Sequence, residues 1–367
     1  MRRSIPLNRS LCLKAGLSSG AGQCDGRAND PSSAAEGDDR ALFQSLKRWL
    51  LLKITLGLWL LSANGMSTLA NVEAPQQRSR IGVQVEKLLA SGRVAEADQL
   101  VQQQLQQQAP SANWLFEIGR VYFDHDQWKQ ASQLLRKSVQ LQNRNDVAHL
   151  LLGLSLAELK QFEDSERELQ AAVQQNPQSD LNWYFAGWRL LLRGKYEASL
   201  PYFQKAVELN PKNPSACRAL GSALARTGKY GLAEKYYRKA IEIVEMQKEA
   251  TPEPYLDLAY LLLFSNQKEP AAQALGYARK AIALDSKLAS AHYLCGKALL
   301  RLEQNREAQS ELLIAADLNP QDGRPFFLLA QVYDRLGETA KAREARELFA
   351  KLTQRRADES QGMSDSP

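Results

Sequence analysis

Histidine and cysteine are scarce in this chain. Its 367 residues include three histidines and four cysteines. Cys12 and Cys24 precede a hydrophobic segment, whereas Cys217 and Cys295 stand 78 residues apart, and none of these spacings is typical of metal ligands. The sequence therefore argues against a metal site, and we interpret Cys217 and Cys295 as structural residues that form no disulfide with each other.

Recognisable catalytic motifs are missing as well. The sequence contains no Gly-Lys-Ser/Thr phosphate loop, no helix with paired histidines and no serine or cysteine nucleophile in an elbow. We therefore predict that the protein is not an enzyme and that it binds no cofactor or metal. His149 and His292 are interpreted as packing residues, and His125 as a solvated turn residue.

No charge sign dominates outside the N-terminal region. The net charge is +6 and the sequence pI is about 9.0, but residues 1–65 hold nine Lys/Arg against five Asp/Glu. The rest of the chain thus carries a net charge of only +2, with both signs interspersed. Nucleic-acid-binding proteins concentrate Lys and Arg on one face, so we predict no nucleic-acid partner.

Long β-branched runs are also absent, and the abundance of Ala, Leu, Gln, Glu, Lys and Arg favours helices. What the chain does contain is a repeat of 34 residues, visible in three columns at once. The columns are Gly119, Gly153, Gly187 and Gly221; Trp128, Phe162, Tyr196 and Tyr230; and Ala131, Ser165, Ser199 and Ala233. In the third unit, helices over residues 180–192 and 196–209 flank a break at 193–195. Each unit is therefore predicted to be a helix–turn–helix.

These columns resemble the tetratricopeptide repeat family. The third unit matches the family pattern through Trp183, Gly187, Leu190, Gly194, Tyr196, Phe203, Ala206 and Pro211, and the fourth through Gly221, Leu224, Gly228, Tyr230, Ala233, Tyr237 and Ala240. The resemblance implies an all-α fold, an α-solenoid of stacked units forming a right-handed superhelix with a concave groove. It predicts seven or eight units over residues 80–352, including a degenerate one at 83–110.

The repeat spacing changes twice after the fourth unit. Ala259 follows Gly221 by 38 residues, and Gly296 follows Ala259 by 37. We expect the first insertion to lengthen a helix end within residues 242–251, and the second to lie at 266–270. The polar residues 353–367 are predicted to be a disordered tail.

The sequence pattern of the N-terminal region indicates a targeting segment. Lys47 and Arg48 precede a mainly apolar run at residues 49–61, followed by small residues. This pattern is typical of a secretory signal at 47–70, cleaved after Gly65 or Ala70, or of an uncleaved membrane anchor. Residues 1–46 are predicted to be disordered, and we interpret them as the product of a translation start placed too far upstream.

The resemblance also implies which side chains line the groove. In the family, groove residues lie one, four and eight positions after the first residue of each unit. The predicted partner-binding residues are Phe116, Arg120, Tyr184, Trp188, Arg218, Tyr260, Tyr293 and Lys297, and the further groove positions are Phe123, Leu150, Leu154, Arg226, Leu256, Arg301, Phe327 and Gln331. Aromatic and arginine side chains dominate binding hot spots. For the leucines, packing between repeats is the stronger interpretation.

One well-known family property is not expected here. Members that grip a peptide's terminal carboxylate use a Lys/Asn/Asn/Lys/Arg clamp, and the matching positions here read Phe116, Arg120, Leu151, Leu181 and Phe185. Binding of chaperone tails is therefore not predicted.

The function that follows is a non-catalytic scaffold. We predict an exported protein, periplasmic or anchored to the membrane by residues 49–61, that binds a protein or peptide segment in its groove. Two alternatives remain open at this point. The array could be the accessory module of an envelope enzyme or polysaccharide-secretion complex whose catalytic activity lies on another chain, or the groove could bind a carbohydrate or lipid.

Overall fold

The computed structural model describes residues 79–264 and 268–364. Within these residues the chain forms sixteen α-helices and no strand. The helices are α1 (Arg80–Ala90), α2 (Val94–Gln107), α3 (Ala112–Asp124), α4 (Trp128–Leu141), α5 (Asp146–Glu158), α6 (Phe162–Gln175), α7 (Asp180–Leu192), α8 (Tyr196–Leu209), α9 (Pro214–Arg226), α10 (Tyr230–Gln247), α11 (Glu253–Leu262), α12 (Lys268–Leu284), α13 (Ala289–Arg301), α14 (Asn305–Leu318), α15 (Gly323–Arg335) and α16 (Thr339–Ser364).

The helices form eight consecutive hairpins, α1/α2 to α15/α16, each packed on the next. The predicted all-α solenoid of stacked helix–turn–helix units is confirmed. The degenerate first unit is present as α1 and α2. A single hairpin cannot cover its own apolar stripe, so the core is the continuous layer of side chains between neighbouring hairpins.

The repeated glycines allow the two helices of a hairpin to approach closely. A Cβ on Gly119, Gly153 or Gly296 would lie 2.9, 2.7 and 2.6 Å from the Cγ atom of a leucine on the second helix of the same hairpin. A Cβ on Gly221 would lie 2.7 Å from the ring of Tyr237. The glycine column therefore reflects one packing constraint that recurs in each of these hairpins.

Polar side chains fix the starts of the first helices. Ser111, Asn145, Ser179, Asn213 and Asp322 each accept a hydrogen bond from a backbone N–H in the first turn. Such caps satisfy donors that the helix leaves unpaired. The first helices of the fifth and sixth regular units, α11 and α13, have Pro252 and Leu288 at their N-cap positions, and neither residue provides a side-chain cap.

Asp–Asn contacts connect neighbouring units on the same side of the array. Asp146 Oδ2 accepts hydrogen bonds from the amide groups of Asn176 and Asn182, at 3.1 and 3.0 Å. Asp180 Oδ2 accepts from Asn210 and Asn213 in the same manner, at 2.8 and 3.2 Å. Each contact links a unit to the loop or helix that follows it, which sets the spacing between hairpins.

Both insertions lengthen the end of a second helix. The helix α10 has 18 residues and α12 has 17, whereas α4, α6, α8 and α14 have 14. The first insertion was predicted there. The second was expected at residues 266–270, but the buried Ala271 and Ala278 keep the register of earlier units. The extra residues therefore follow Ala278, at the C-terminal end of α12.

The last helix extends further than the sequence suggests. The expected disordered tail begins at residue 353, but α16 continues to Ser364. Half of residues 353–364 are Ala, Arg, Glu or Gln, which have high helix propensity. Residues 365–367 lie outside the described part.

The predictions for residues 1–46 and 47–70 also fall outside the described residues. Among residues 79–264 and 268–364, no helix combines the length and apolar character that crossing a bilayer requires.

Candidate functional site

The first helices of the hairpins line one side of the array. In the described chain, each first helix contacts the first helix of the next hairpin, and no second helix makes comparable contact with the second helix of the next hairpin. Closer spacing on one side means that the stack curves, with the first helices on the inner, concave side. We call this side the groove.

The middle of the groove is aromatic. The rings of Tyr184 and Trp188 on α7 stack with centroids 6.3 Å apart and an interplanar angle of 12°. Tyr184 is only 2% exposed and also packs against Phe185 and Phe203. Burial raises the pKa of Tyr184. Trp188 is half-buried, so part of its ring is accessible to a partner, while the buried Tyr184 packs against the ring.

The cation next to this aromatic section already has a counter-charge. Arg218 Nε on α9 donates to Asp257 Oδ2 on α11 at 2.6 Å. Burial by itself would lower the pKa of Arg218, but the charge and the hydrogen bond of Asp257, together with the charge of Glu253, outweigh burial and raise that pKa. The predicted partner-binding residue Arg218 is thus part of an ion pair between two units.

The C-terminal section of the groove combines tyrosines and cations. Tyr260 on α11 is 36% exposed, and Lys297 Nζ on α13 lies 5.9 Å from its ring centroid. Tyr293 is 9% exposed, with the Arg324 guanidinium carbon 5.1 Å from its ring centroid. Burial raises the pKa of Tyr293 to about 12. Cation–π contacts therefore connect three successive units, through α11, α13 and α15.

The remaining predicted positions divide between surface and core. Phe116 and Arg120 are half-buried, with Arg120 Nε 3.9 Å from Asp124 Oδ2. Leu150, Leu154 and Phe123 are buried, which confirms the packing interpretation of the two leucines. Phe327 is 42% exposed and lies against Phe349. The half-buried positions are Arg226, Leu256, Arg301 and Gln331.

Two family models match the described chain. The model described as tetratricopeptide repeat matches residues 184–245 and 293–358, and the model described as anaphase-promoting complex, cyclosome, subunit 3 matches residues 88–172. These matches agree with the stacked hairpins. The chain is a tetratricopeptide repeat protein. Tetratricopeptide arrays serve in general as non-catalytic protein–protein interaction modules, and this array has that fold.

Solved structures share the arrangement of the tetratricopeptide array. A chain of the APC/C hetero-tetramer Cut9–Hcn1 is 16% identical, with a TM-score of 0.54, and the match covers 70% of this chain but only 49% of that one. PilW, described as a widely conserved type IV pilus biogenesis factor, is 21% identical, with a TM-score of 0.52 and coverage of 59% and 98%. A tetratricopeptide repeat protein from Parabacteroides merdae is 16% identical, with a TM-score of 0.52 and coverage of 69% and 97%. Such identities show the fold alone. A comparison with curated proteins finds no match.

Two groove residues of the tetratricopeptide array, Asp257 and Arg324, were not among the residues predicted from the sequence. Asp257, which neutralises Arg218, lies five positions after the start of its unit, outside the family's groove positions. Arg324 lies one position after the first residue of its unit, Gly323. The family pattern counts this position as a groove position, so the pattern does predict Arg324.

Two histidines and two cysteines of the array, namely His149, His292, Cys217 and Cys295, are packing residues, as predicted. His125, predicted to be a solvated turn residue, is half-buried at the C-terminal end of α3. His149 Nδ1 and His292 Nδ1 each lie 2.7 Å from a glutamate oxygen of their own hairpin, on Glu168 and Glu311. Both histidines are buried. Burial raises the pKa of Cys217 to about 11 and that of Cys295 to about 12, so neither thiol is activated as a nucleophile.

The described residues form no cluster of three or more His, Cys, Asp or Glu side chains suited to a metal ion. Of the clamp positions, Leu151 and Phe185 are buried in the core of the tetratricopeptide array. What the groove does offer is a row of aromatic surface with positive charge at its C-terminal section.

Proposed function

We propose that the protein is a non-catalytic scaffold of the cell envelope that binds an extended or helical segment of a partner protein in its groove. The observation that carries the proposal is the row of partly exposed rings on the first helices, which includes Trp188, Tyr260 and Phe327. Large rings that keep one face accessible on a rigid support contribute much binding energy at little conformational cost.

The row is held rigidly. Trp188 stacks on the buried Tyr184, and Phe327 lies against Phe349, with ring centroids 5.3 Å apart. A partner would therefore meet preorganised surface rather than order it on binding. The rings of Trp188, Tyr260 and Phe327 lie on every second unit, on α7, α11 and α15, which suits a segment that lies along the array and contacts several units.

Site-specific photo-crosslinking tests the groove assignment. A photoreactive phenylalanine replaces Tyr260 in the groove or, as the matched control, Tyr230, which is also exposed but begins the second helix α10. In envelope fractions we expect a defined crosslinked protein from position 260 and not from position 230. Trp188→Ala should abolish this crosslink. Equal crosslinking from both positions, or no effect of Trp188→Ala, would show that partners bind elsewhere.

The envelope location is supported by the sequence pattern of residues 47–65, since the likeness to PilW shows the fold alone. N-terminal sequencing of the protein purified from its native source tests it. A first residue of Met66 or Asn71 is expected after cleavage of a signal. An intact N-terminus together with recovery in the soluble cytosolic fraction would refute export, and an intact N-terminus in the membrane fraction would indicate the anchor.

A further inference from the structure

Three cations converge where α11, α13 and α15 meet on the groove side. Lys297 and Arg301 lie one turn apart on α13, and Arg324 reaches over Tyr293 from the start of α15. Lys297 also lies over Tyr260. We call Tyr260, Tyr293, Lys297, Arg301 and Arg324 the Lys297 cluster.

The ammonium group of Lys297 has no carboxylate within 4.0 Å among the described residues, whereas two acidic side chains of the following unit have partners. Asp322 Oδ2 accepts from Arg324 at 2.8 Å, and Asp334 pairs with Arg346 on α16. Burial, followed by repulsion from Arg301 and Arg324, lowers the pKa of Lys297 to about 8. At neutral pH this lysine is thus still protonated, and its partly desolvated charge lies over the Tyr260 ring but is paired with no carboxylate of the described residues.

Lys297 differs in this respect from the other cations predicted to bind a partner. Arg218 is paired with Asp257 at 2.6 Å, and Arg120 lies 3.9 Å from Asp124. An uncompensated, partly buried cation is costly for the free protein. An anionic group supplied by a partner would remove that cost and would form charge-assisted hydrogen bonds in a site of reduced dielectric.

We propose that the Lys297 cluster binds the carboxylate of an aspartate or glutamate side chain in a peptide segment that lies along the groove. This inference rests on the proposed function, because it places one acidic residue of the partner at a defined step of the array. Lys297 contacts the carboxylate directly, and the rings of Tyr260 and Tyr293 fix the approach of the cations around it.

The surroundings of the cluster favour a peptide over nucleic acid or a membrane surface. The cations of the cluster lie on two successive units, α13 and α15, whereas Arg218 on α9 is neutralised by Asp257. Binding to a polyanion gains from cations repeated along the surface. A short charged section next to the exposed rings of Tyr260 and Phe327 instead fits a segment with one acidic residue beside apolar residues.

Peptide selection followed by a charge-matched comparison tests the proposal. The full chain is used to select from a random dodecapeptide phage library, and one selected peptide is synthesised with its acidic residue and with the isosteric amide. The protein variants are Lys297→Met, Lys297→Arg and, as a matched loss of charge on the exposed face of α10, Lys235→Met. Dissociation constants are measured by fluorescence anisotropy.

We expect the selected peptides to carry an acidic residue flanked by apolar ones. Lys297→Met should weaken the acidic peptide about tenfold or more and leave the amide peptide unchanged. Lys297→Arg should retain most of the affinity, and Lys235→Met should match the wild type. If Lys297→Met weakened both peptides equally, or neither, the assignment of the carboxylate to Lys297 would be overturned.

The outcomes separate this inference from the proposed function. Peptides that depend on Trp188 but show no acidic preference would retain the groove as a binding site and reject the Lys297 cluster as an anion site. Peptides that are insensitive to Trp188→Ala and to Lys297→Met, or the failure to select any peptide, would reject both. Sedimentation with phosphatidylglycerol vesicles that is lost in Lys297→Met, without a peptide preference, would reject the peptide in favour of a membrane surface.

Discussion

The middle and the C-terminal sections of the groove both contain a partly buried cation, but only one of these cations has a counter-charge within the chain. Arg218 is neutralised by Asp257 from the next unit, whereas Lys297 lies among further cations and no carboxylate is within 4.0 Å of it in the described residues. A groove cation therefore stabilises the array in the middle section, whereas in the C-terminal section it is available to bind a ligand. The difference is set by a single acidic residue on α11.

Removing Asp257 should have the largest effect on stability. In Asp257→Ala, Arg218 would be left buried without a partner, and we expect a loss of about 3 kcal/mol in the free energy of unfolding, because an isolated buried charge costs more than the pair. Urea unfolding followed by circular dichroism measures it. Glu163→Ala, which removes an exposed partner of Arg193 on the protein surface, should cost less than about 1 kcal/mol. Equal losses would mean that the Arg218–Asp257 pair contributes no more than a surface ion pair.

Packing, unlike charge, should be equivalent in the two sections. A Cβ on Gly221 or on Gly296 would lie 2.7 or 2.6 Å from a side chain of the facing helix. We expect Gly221→Ala and Gly296→Ala each to lower the unfolding free energy by about 2 kcal/mol. Gly276 on α12 has no atom within 4 Å of such a Cβ, so Gly276→Ala should stabilise by up to about 1 kcal/mol. A stabilising Gly296→Ala would contradict the close approach of α13 and α14.

Replacing each groove cation by methionine should change stability in opposite directions. Arg218→Met leaves Asp257 unpaired and should destabilise, whereas Lys297→Met removes an uncompensated charge and should stabilise by about 1 kcal/mol at pH 7. Thermal unfolding of both variants beside the wild type tests the contrast. Destabilisation by Lys297→Met would indicate that Lys297 has a stabilising partner.

The pH dependence of that gain has a definite sign. Folding lowers the pKa of Lys297 from 10.5 to about 8. The cost of its charge is therefore complete below pH 8 and disappears as the pH rises to 10.5, because the unfolded chain then binds more protons than the folded chain. The stability difference between Lys297→Met and the wild type should shrink across this range, and a difference that is constant from pH 7 to 10.5 would argue against the shift.

The smallest expected changes in stability come from the turns within the hairpins, where both halves of the array contain a residue with a positive φ angle. Lys160 and Glu303 occupy the turn of their hairpins with φ angles of 60° and 63°, and Gly194 occupies the equivalent turn with 70°. L-residues pay strain in this left-handed region. Lys160→Gly and Glu303→Gly should each stabilise by about 0.5–1 kcal/mol, as measured by thermal unfolding. Lys137→Gly, within the helix α4, should destabilise by about 1 kcal/mol.

The fold could be predicted from the sequence because its determinants recur. Gly187 and Tyr196 lie at the same step as their counterparts in neighbouring units, and one packing solution explains each column. The helix bounds predicted for the third unit, 180–192 and 196–209, are those observed. The second insertion was misplaced because Asn266 and Pro270 resemble a loop, whereas the buried Ala271 and Ala278 fix the register from within the helix.

The sequence predicted which residues lie on the groove side, but not which residues they pair with. The family rule placed Arg218 and Lys297 on the first helices, and both are there. The sequence could not show that Asp257 reaches Arg218 across 39 residues, since that pairing depends on the offset between two hairpins. Nor could it show that Tyr184 is buried beneath Trp188, because both belong to the same apolar face of α7.

The missing caps at Pro252 and Leu288 have a consequence for how the array holds together. Stability in such a stack depends on nearest neighbours, so we expect the array to open first at the fifth and sixth units, where two successive first helices lack this support. The Trp188 ring lies two units before them, whereas Tyr260 and Lys297 lie within them. A ligand that contacts Trp188 and Lys297 together would stabilise these units, so its binding would raise the stability of the array.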